Sequence, residues 1–276
     1  MTDLRPGQVR LGLSTYAYTW SIGVPGHPPR RPLTAMQLLD HAARLNVPVV
    51  QIADNMPLHL MPAAGIDALA ERAARLGIQV EVGTRGIEPG HLRQYLDLAR
   101  RFGSPILRVV IDSAQRRYSA EEATAVLRTQ RDAFTRAGVV LAIENHDRIP
   151  AAALVRMVQE LGPDWTGVCL DTANSLGVLE GTATVVETLA PWTVNVHVKD
   201  IVIARLPHMM GFTVEGRPAG AGQLDLPWLL NSLAARGRNF SAILELWTPP
   251  EPELEQTIDK EQRWVEESVR FLAPLT

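Results

Sequence analysis

Apolar runs of about five residues alternate with amphipathic stretches from one end of the chain to the other. Eight such runs read as strands: Val9–Thr15, Pro48–Ala53, Ile78–Gly83, Ile106–Ile111, Val139–Glu144, Gly167–Asp171, Val194–Val198 and Ala242–Leu246. Their near-continuous apolar character suits strands covered on both faces, as in a parallel sheet flanked by helices. Helical periodicity lies between them at Pro32–Asn46, Gly65–Leu76, Pro89–Phe102, Ala120–Ala137, Ala151–Leu161, Thr184–Leu189 and Leu226–Arg236, with Glu253–Phe271 closing the chain. Ser119 followed by Glu122 has capping-box spacing, and Gly77, Gly103, Gly138, Gly162 and Gly237 stand where helices end.

Eight strand–helix units in 276 residues predict an α/β fold, a single-domain (β/α)8 TIM barrel spanning 1–276, with residues 1–8 as a flexible N-terminal tail. The competing arrangement is a doubly wound open sheet. Against it, LGLSTYAYTW follows the start of the first strand where a Gly-x-Gly-x-x-Gly would be expected. Two connections stand out. One, Ala17–Arg31, follows strand one and carries Trp20, Gly23, Gly26 and His27; the other, Asp200–Leu224, is long for a strand–helix loop.

Composition narrows the class. An apolar fraction of 46% and a charged fraction of 21% are those of an ordinary globular protein. A net charge of -3 supplies no footprint for nucleic acid or an anionic membrane. The N-terminal MTDLRPGQVR lacks a signal peptide's apolar core and no window reads as a membrane span. Cys169 is the single cysteine, inside an apolar strand, and reads as a small buried residue. A cytoplasmic enzyme or binding protein is the expectation.

Four strands end in metal-binding chemistry. Glu144, Asp171, His197 and Glu245 occupy equivalent C-terminal positions on the last four expected strands, which are neighbours in a barrel. Active sites of that fold lie at this face. Three carboxylates and one imidazole suit one divalent ion, Mn²⁺ or Mg²⁺ foremost, with Co²⁺ or Zn²⁺ also compatible. Any one carboxylate could be a helix cap; four at equivalent positions form a pattern. Strand alternation then aims His146, Lys199 and Trp247 at the same mouth. Asp200 alternates away and should orient the long loop.

The segments IENH, LDTAN, HVKD and LEL around these four residues resemble the signature of the xylose isomerase-like barrels. That superfamily holds sugar isomerases and epimerases, hydroxypyruvate isomerase, inosose dehydratase and endonuclease IV. The resemblance covers nearly the whole chain. It implies that Glu144, Asp171, His197 and Glu245 bind the metal and that Glu144 and Glu245 are the catalytic acid–base pair. Two departures matter: Asn174 stands where the epimerases carry histidine, and seven histidines are too few at strand ends for endonuclease IV's three metals. The Arg217–Gly222 run resembles the family's arginine-then-glycines segment near the substrate. The resemblance also implies a homodimer, although no exposed apolar stripe is visible in the sequence.

The substrate-binding candidates are His146, Asn174, Lys199, His208, Arg217, Trp20 and Trp247. Arginine forks and lysine suit an anionic small molecule, and aromatic faces suit a sugar. Glu81 and Arg108 sit mid-strand; unpaired buried charges are costly, so these two should pair across strands three and four. A metal-bound carbonyl beside a hydroxyl stabilises an enediolate. The leading expectation is therefore a metal-dependent isomerase or epimerase of a small sugar, keto-sugar or sugar acid. The second is a lyase of an oxo-sugar acid, a dehydratase or a decarboxylase, since the His208–Gly222 loop looks like those of members that decarboxylate compounds such as 3-oxo-isoapionate. The third is a barrel that binds carbohydrate without turnover.

Overall fold

Runs such as Val49–Ile52 and Ile106–Val110 are buried along their whole length, as strands must be when helices cover one face and the barrel interior the other. The computed structural model describes residues 8–276. The expected tail therefore lies outside the described residues except for Gln8, which is tied in: its N–H donates to Asn239 and its carbonyl accepts from Phe240.

Among the described residues ten strands follow in chain order: β1 Val9–Ser14, β2 Val49–Ile52, β3 Gln79–Arg85, β4 Ile106–Val110, β5 Val140–Glu144, β6 Thr166–Asp171, β7 Thr193–Val198, β8 Asp200–Arg205, β9 Phe212–Arg217 and β10 Phe240–Leu244. Eight close a parallel barrel in the order β1-β10-β7-β6-β5-β4-β3-β2. The fold is a (β/α)8 barrel in one domain, as the alternation predicts. The register places Asp171 beside His197 and His197 beside Ile243, so Asp171 and His197 share one level and Glu245 stands two residues beyond it, at the mouth.

The large apolar core lies between the barrel and its helices, joining for example Leu38, Leu69, Leu92, Leu127, Leu154 and Leu229. A separate small cluster, Ile106, Ala142 and Cys169, plugs the barrel's interior. Around and above that plug the interior is polar, with Gln51, Glu81, Arg108, Asn195 and Ser241 all at 2% exposure or less. Buried polar groups of this kind persist only when hydrogen-bonded.

Three expectations need correction. The helix expected over Ala120–Ala137 is two, Ala120–Arg128 and Arg131–Ala137. Thr129 Oγ1 donates to the Val126 carbonyl and Gln130 bonds Thr129, a local alternative to the helical ladder. The loop expected over Asp200–Leu224 contains an antiparallel hairpin, β8 with β9. Gly216 lies so close to Trp247 that a Cβ there would overlap the Trp247 carbonyl, which seats the hairpin's root against the barrel rim. Asp200 orients this segment, accepting the N–H groups of Gly220, Gly222 and Leu224. The hairpin also carries the exposed apolar stripe that the sequence did not reveal: Ile203, Met209, Met210, Phe212 and Val214.

The third correction concerns Glu81 and Arg108, which do not pair. The β3–β4 register sets Arg108 beside Gly83, so Glu81 lies two residues, about 7 Å, lower along the strand. Glu81 bonds Ser241, Gln51 and Asn195, while Arg108 turns up to Glu144 and Asp54. Among the described residues no helix is long and apolar enough to cross a membrane.

Candidate metal centre

The ends of β5, β6 and β7 and the residue after β10 bring four candidate ligands together. Asp171, His197 and Glu245 offer ligand atoms all within 4.8 Å of one another. His197 Nδ1 lies 3.2 Å from Glu245 Oε1, 3.3 Å from Glu144 Oε2 and 3.8 Å from Asp171 Oδ2. All four residues are 3% exposed or less.

Two cations contact this trio of carboxylates. Lys199 Nζ bonds Asp171 and lies 2.8 Å from Glu245 Oε2. Arg108 Nε donates to Glu144, and Arg108 Nη1 reaches Asp54 at 2.9 Å. Arg85 adds a third charge at 3.3 Å from Asp54. Burial opposes ionisation of Glu245, but His197, Lys199 and Arg108 outweigh it and hold its carboxyl at about 2. Glu144 is likewise held low against its burial, chiefly by Arg108. Burial also disfavours the charge on Lys199; Asp171, Glu245 and Glu144 overcome that and raise its pKa.

Do these residues fit a divalent ion? The decisive atom is His197 Nδ1, buried and without a hydrogen-bond partner. Its other ring nitrogen, Nε2, is 2.6 Å from Gln51 Oε1. A carbonyl oxygen accepts, so Nε2 donates that bond and Nδ1 is turned toward three anionic oxygens. A cation placed between them would be met by all four groups. The donor set, one imidazole and three carboxylates, is that of a hard or borderline divalent ion. Glu144, Cys169 and His197 also cluster, but burial pushes the Cys169 thiol well up and it bonds Asn195, so the carboxylate set fits better.

Above the cluster opens a cavity of about 270 Å³, lined among others by Tyr16, Trp20, Arg85, His146, Asn174 and Trp247. Of the substrate-binding candidates, Trp20, His146, Asn174, Lys199 and Trp247 line it. Asn174 Nδ2 donates to Glu144 Oε1 at 2.9 Å. His208 and Arg217 are not brought to it. His208 stands exposed in the hairpin turn, accepting from Met210 N–H, and Arg217 forks onto Glu215. Both lie on the hairpin, whose exposed strands run outward from the rim. Conversely, neither Asp54 nor Arg85 is singled out by the sequence, which marks Tyr16 only as an aromatic near the mouth and sets Arg108 against Glu81. Tyr16 Oη donates to Asp54 Oδ2 at 2.9 Å, and Arg85 approaches His146 Nε2 at 3.4 Å. Tyr16 stands two residues beyond Ser14, and Arg85 two beyond Gly83. The alternation used for the last four strands, carried to the first four, aims both side chains at the mouth.

Comparison with known proteins places this geometry. A family model described as xylose isomerase-like TIM barrel matches residues 39–274. The chain belongs to that family. A relative from Pectobacterium atrosepticum, 3-oxo-isoapionate decarboxylase, is 33% identical over 264 residues, covering 95% of this chain and 94% of its own. Among solved structures, D-psicose 3-epimerase with D-tagatose from Clostridium cellulolyticum matches with TM-score 0.73 at 14% identity, over 96% and 99% of the two chains. A xylose isomerase-like TIM barrel protein from Mycobacterium smegmatis in complex with magnesium matches with TM-score 0.68 at 13% identity, over 97% and 98%.

In this xylose isomerase-like barrel, one wall of the cavity is fixed from outside the ring. Glu261, on the helix Leu254–Leu272, accepts from Trp20 N–H at 2.8 Å, Ser21 N–H at 2.9 Å and Ser21 Oγ at 2.7 Å. Trp20 Nε1 donates to the Thr248 carbonyl at 2.8 Å. Burial pushes the Glu261 carboxyl from 4.5 up to about 7. A carboxyl raised in the fold contributes stability that is present below its unfolded pKa and lost as pH rises through its folded value. Relative to Glu261→Gln, the wild type should therefore lose about 3 kcal/mol between about pH 4.5 and about pH 7.5. Urea midpoints of the two proteins at both pH values measure this; a constant difference would contradict it.

Proposed function

We propose that the protein is a divalent-metal-dependent lyase that decarboxylates a small 3-oxo sugar acid. The observation carrying this reading is the charge balance at the cavity floor. The carboxylates of Asp54, Glu144, Asp171 and Glu245 stand among Arg85, Arg108 and Lys199. A divalent ion turns that cluster from one net negative charge to one net positive, matched to a substrate bearing one carboxylate. The relative's reaction, on a 3-oxo acid, supports the same direction. A cavity of about 270 Å³ favours a small molecule.

The ion, when held by Glu144, Asp171, His197 and Glu245, would supply Lewis-acid polarisation of the substrate's carbonyl. The carbon–carbon bond to the carboxylate breaks, CO₂ leaves and the electron pair passes to the carbonyl oxygen. Lys199 and Arg108, both buried cations, favour charge at that oxygen. A proton then returns to carbon, for which Lys199 Nζ is the ammonium nearest the cluster. Trp20, Val24 and Leu246 offer the apolar wall along which a carboxylate sheds its solvation.

A second reading, isomerase or epimerase, is favoured by one feature: Glu144 and Glu245 both face the His197 Nδ1 position, as a two-carboxylate proton transfer requires. The two separate cleanly. A panel of 3-oxo sugar acids, 3-oxo-isoapionate included, is incubated with Mn²⁺ in D₂O. CO₂ release with deuterium at the carbon that bore the carboxylate is the expected result. Deuterium uptake with the carbon skeleton intact would replace the lyase by the isomerase, and silence across the panel would favour a binding barrel.

Arg85 is the freest of the three cations, at 34% side-chain exposure. Arg85→Gln should raise KM for an acid substrate by about 10- to 100-fold, the worth of a charged hydrogen bond, with kcat changed far less. Steady-state kinetics decide; an unchanged KM would remove Arg85 from substrate binding.

A further inference from the structure

We propose that Gln51 and Asn195 form a positioning relay, anchored on the Ser241 backbone carbonyl, that receives the His197 Nε2–H and so aims Nδ1 at the cation position. This deepens the metal reading and rests on it for its purpose, though the relay's own geometry is independent of it.

The anchor fixes the direction of every bond that follows. Asn195 Nδ2 lies 3.3 Å from the Ser241 carbonyl oxygen, which can only accept. The NH₂ end of the Asn195 amide is thereby assigned, and its Oδ1 must accept. That oxygen takes the Cys169 thiol at 3.3 Å and Gln51 Nε2 at 3.0 Å. Gln51 is now assigned as well, so its Oε1 is the atom 2.6 Å from His197 Nε2. The imidazole must supply the proton of that bond, and the ring is held with Nδ1 toward the three carboxylates.

Glu81 reinforces the direction from below. Its Oε2 accepts from Gln51 Nε2 at 3.2 Å and Asn195 Nδ2 at 3.0 Å, and its Oε1 takes the Ser241 hydroxyl at 2.7 Å. Turning the Gln51 amide over would set its oxygen 3.0 Å from Asn195 Oδ1 with no hydrogen between them. The same turn would face it toward Glu81 Oε2. Gln51, Asn195 and His197 are each fully buried, so no solvent relieves such a contact. The relay joins β2, β3, β7 and β10 across the barrel, which explains why polar residues fill an interior that this fold ordinarily packs with aliphatic side chains. Metal-bound histidines in general depend on such a partner for tautomer and orientation.

Nitrogen-15 long-range spectra of histidine in the metal-free wild type read the tautomer directly. A protonated, pyrrole-type Nε2 for His197 is expected; an Nε2 without a proton would overturn the relay. Gln51→Met keeps the volume and removes the acceptor. It should weaken Mn²⁺ binding by calorimetry about 10- to 100-fold and populate the other tautomer. Lower thermal stability with unchanged Mn²⁺ affinity and tautomer would reduce Gln51 to a packing role and overturn the proposal. Should Gln51→Met not fold, the wild-type spectrum still decides. A wild type that binds no Mn²⁺ would sink the metal reading alone, leaving the tautomer to be judged by that spectrum.

Discussion

Glu245→Gln should leave the barrel folded and lower kcat by about 1,000-fold or more, the range for deleting a charged group aimed at the reacting centre. Glu245 is 2% exposed, and both its oxygens are committed. Oε1 accepts from Ser14 Oγ at 2.9 Å and faces His197 Nδ1 at 3.2 Å, while Oε2 meets Lys199 at 2.8 Å. An amide of the same size keeps the volume. It also removes one of the three charges on the cation position and turns an NH₂ toward Ser14 or Lys199, each already a donor. Turnover of the substrate identified by CO₂ release, together with urea unfolding, separates the two effects. Activity within tenfold of wild type would show that Glu245 neither binds the ion nor moves the proton.

Lys199→Met should have the largest effect on stability. The ammonium bonds Asp171 and Glu245, and both partners are buried. Its removal leaves two carboxylates close together with no cation, a loss of about 3–5 kcal/mol for a broken buried pair. A divalent ion added to the variant replaces part of the missing charge. Mn²⁺ should therefore raise the melting temperature of Lys199→Met more than that of the wild type, because an ion that binds the native state stabilises it by mass action. Equal Mn²⁺ shifts in the two proteins would mean that Lys199 and the ion do not share these carboxylates. Turnover should fall as well, since the same ammonium is the proton donor proposed above.

Much of this was legible in the chain, and the reason is periodicity. Eight apolar runs, each buried on both faces, announce the barrel strands within a few residues of their ends. Alternation along TVNVHVKD aligns Asn195, His197 and Lys199 on one face, and the structure puts all three inside the barrel or at its mouth. Four ligand candidates on neighbouring strands emerge from the same rule. What escaped depended on contacts that no local pattern encodes. Glu81 and Arg108 look like partners when strands are laid side by side, yet barrel stagger separates them by two residues. Arg108 instead joins Asp54 and Glu144, three strands' residues meeting only in the closed ring. The hairpin of β8 and β9 has no buried-strand signature in the sequence because its outer half faces solvent on both sides. Its alternating apolar residues build no core, and that is why they remain exposed.

The strand-end carboxylates alone favour proton transfer between carbons. Arg85 and Arg108, seen only in the folded cluster, add two positive charges to the cavity floor and favour an acid substrate.

The metal centre itself is tested most directly by titrating the metal-free protein with Mn²⁺ while following the ion's electron paramagnetic resonance. One ion per chain should bind, and His197→Ala should weaken it by about 100-fold, the loss of one buried ligand whose nitrogen has no other partner. No binding by the wild type, or an affinity indifferent to His197→Ala, would contradict a metal site built on Glu144, Asp171, His197 and Glu245.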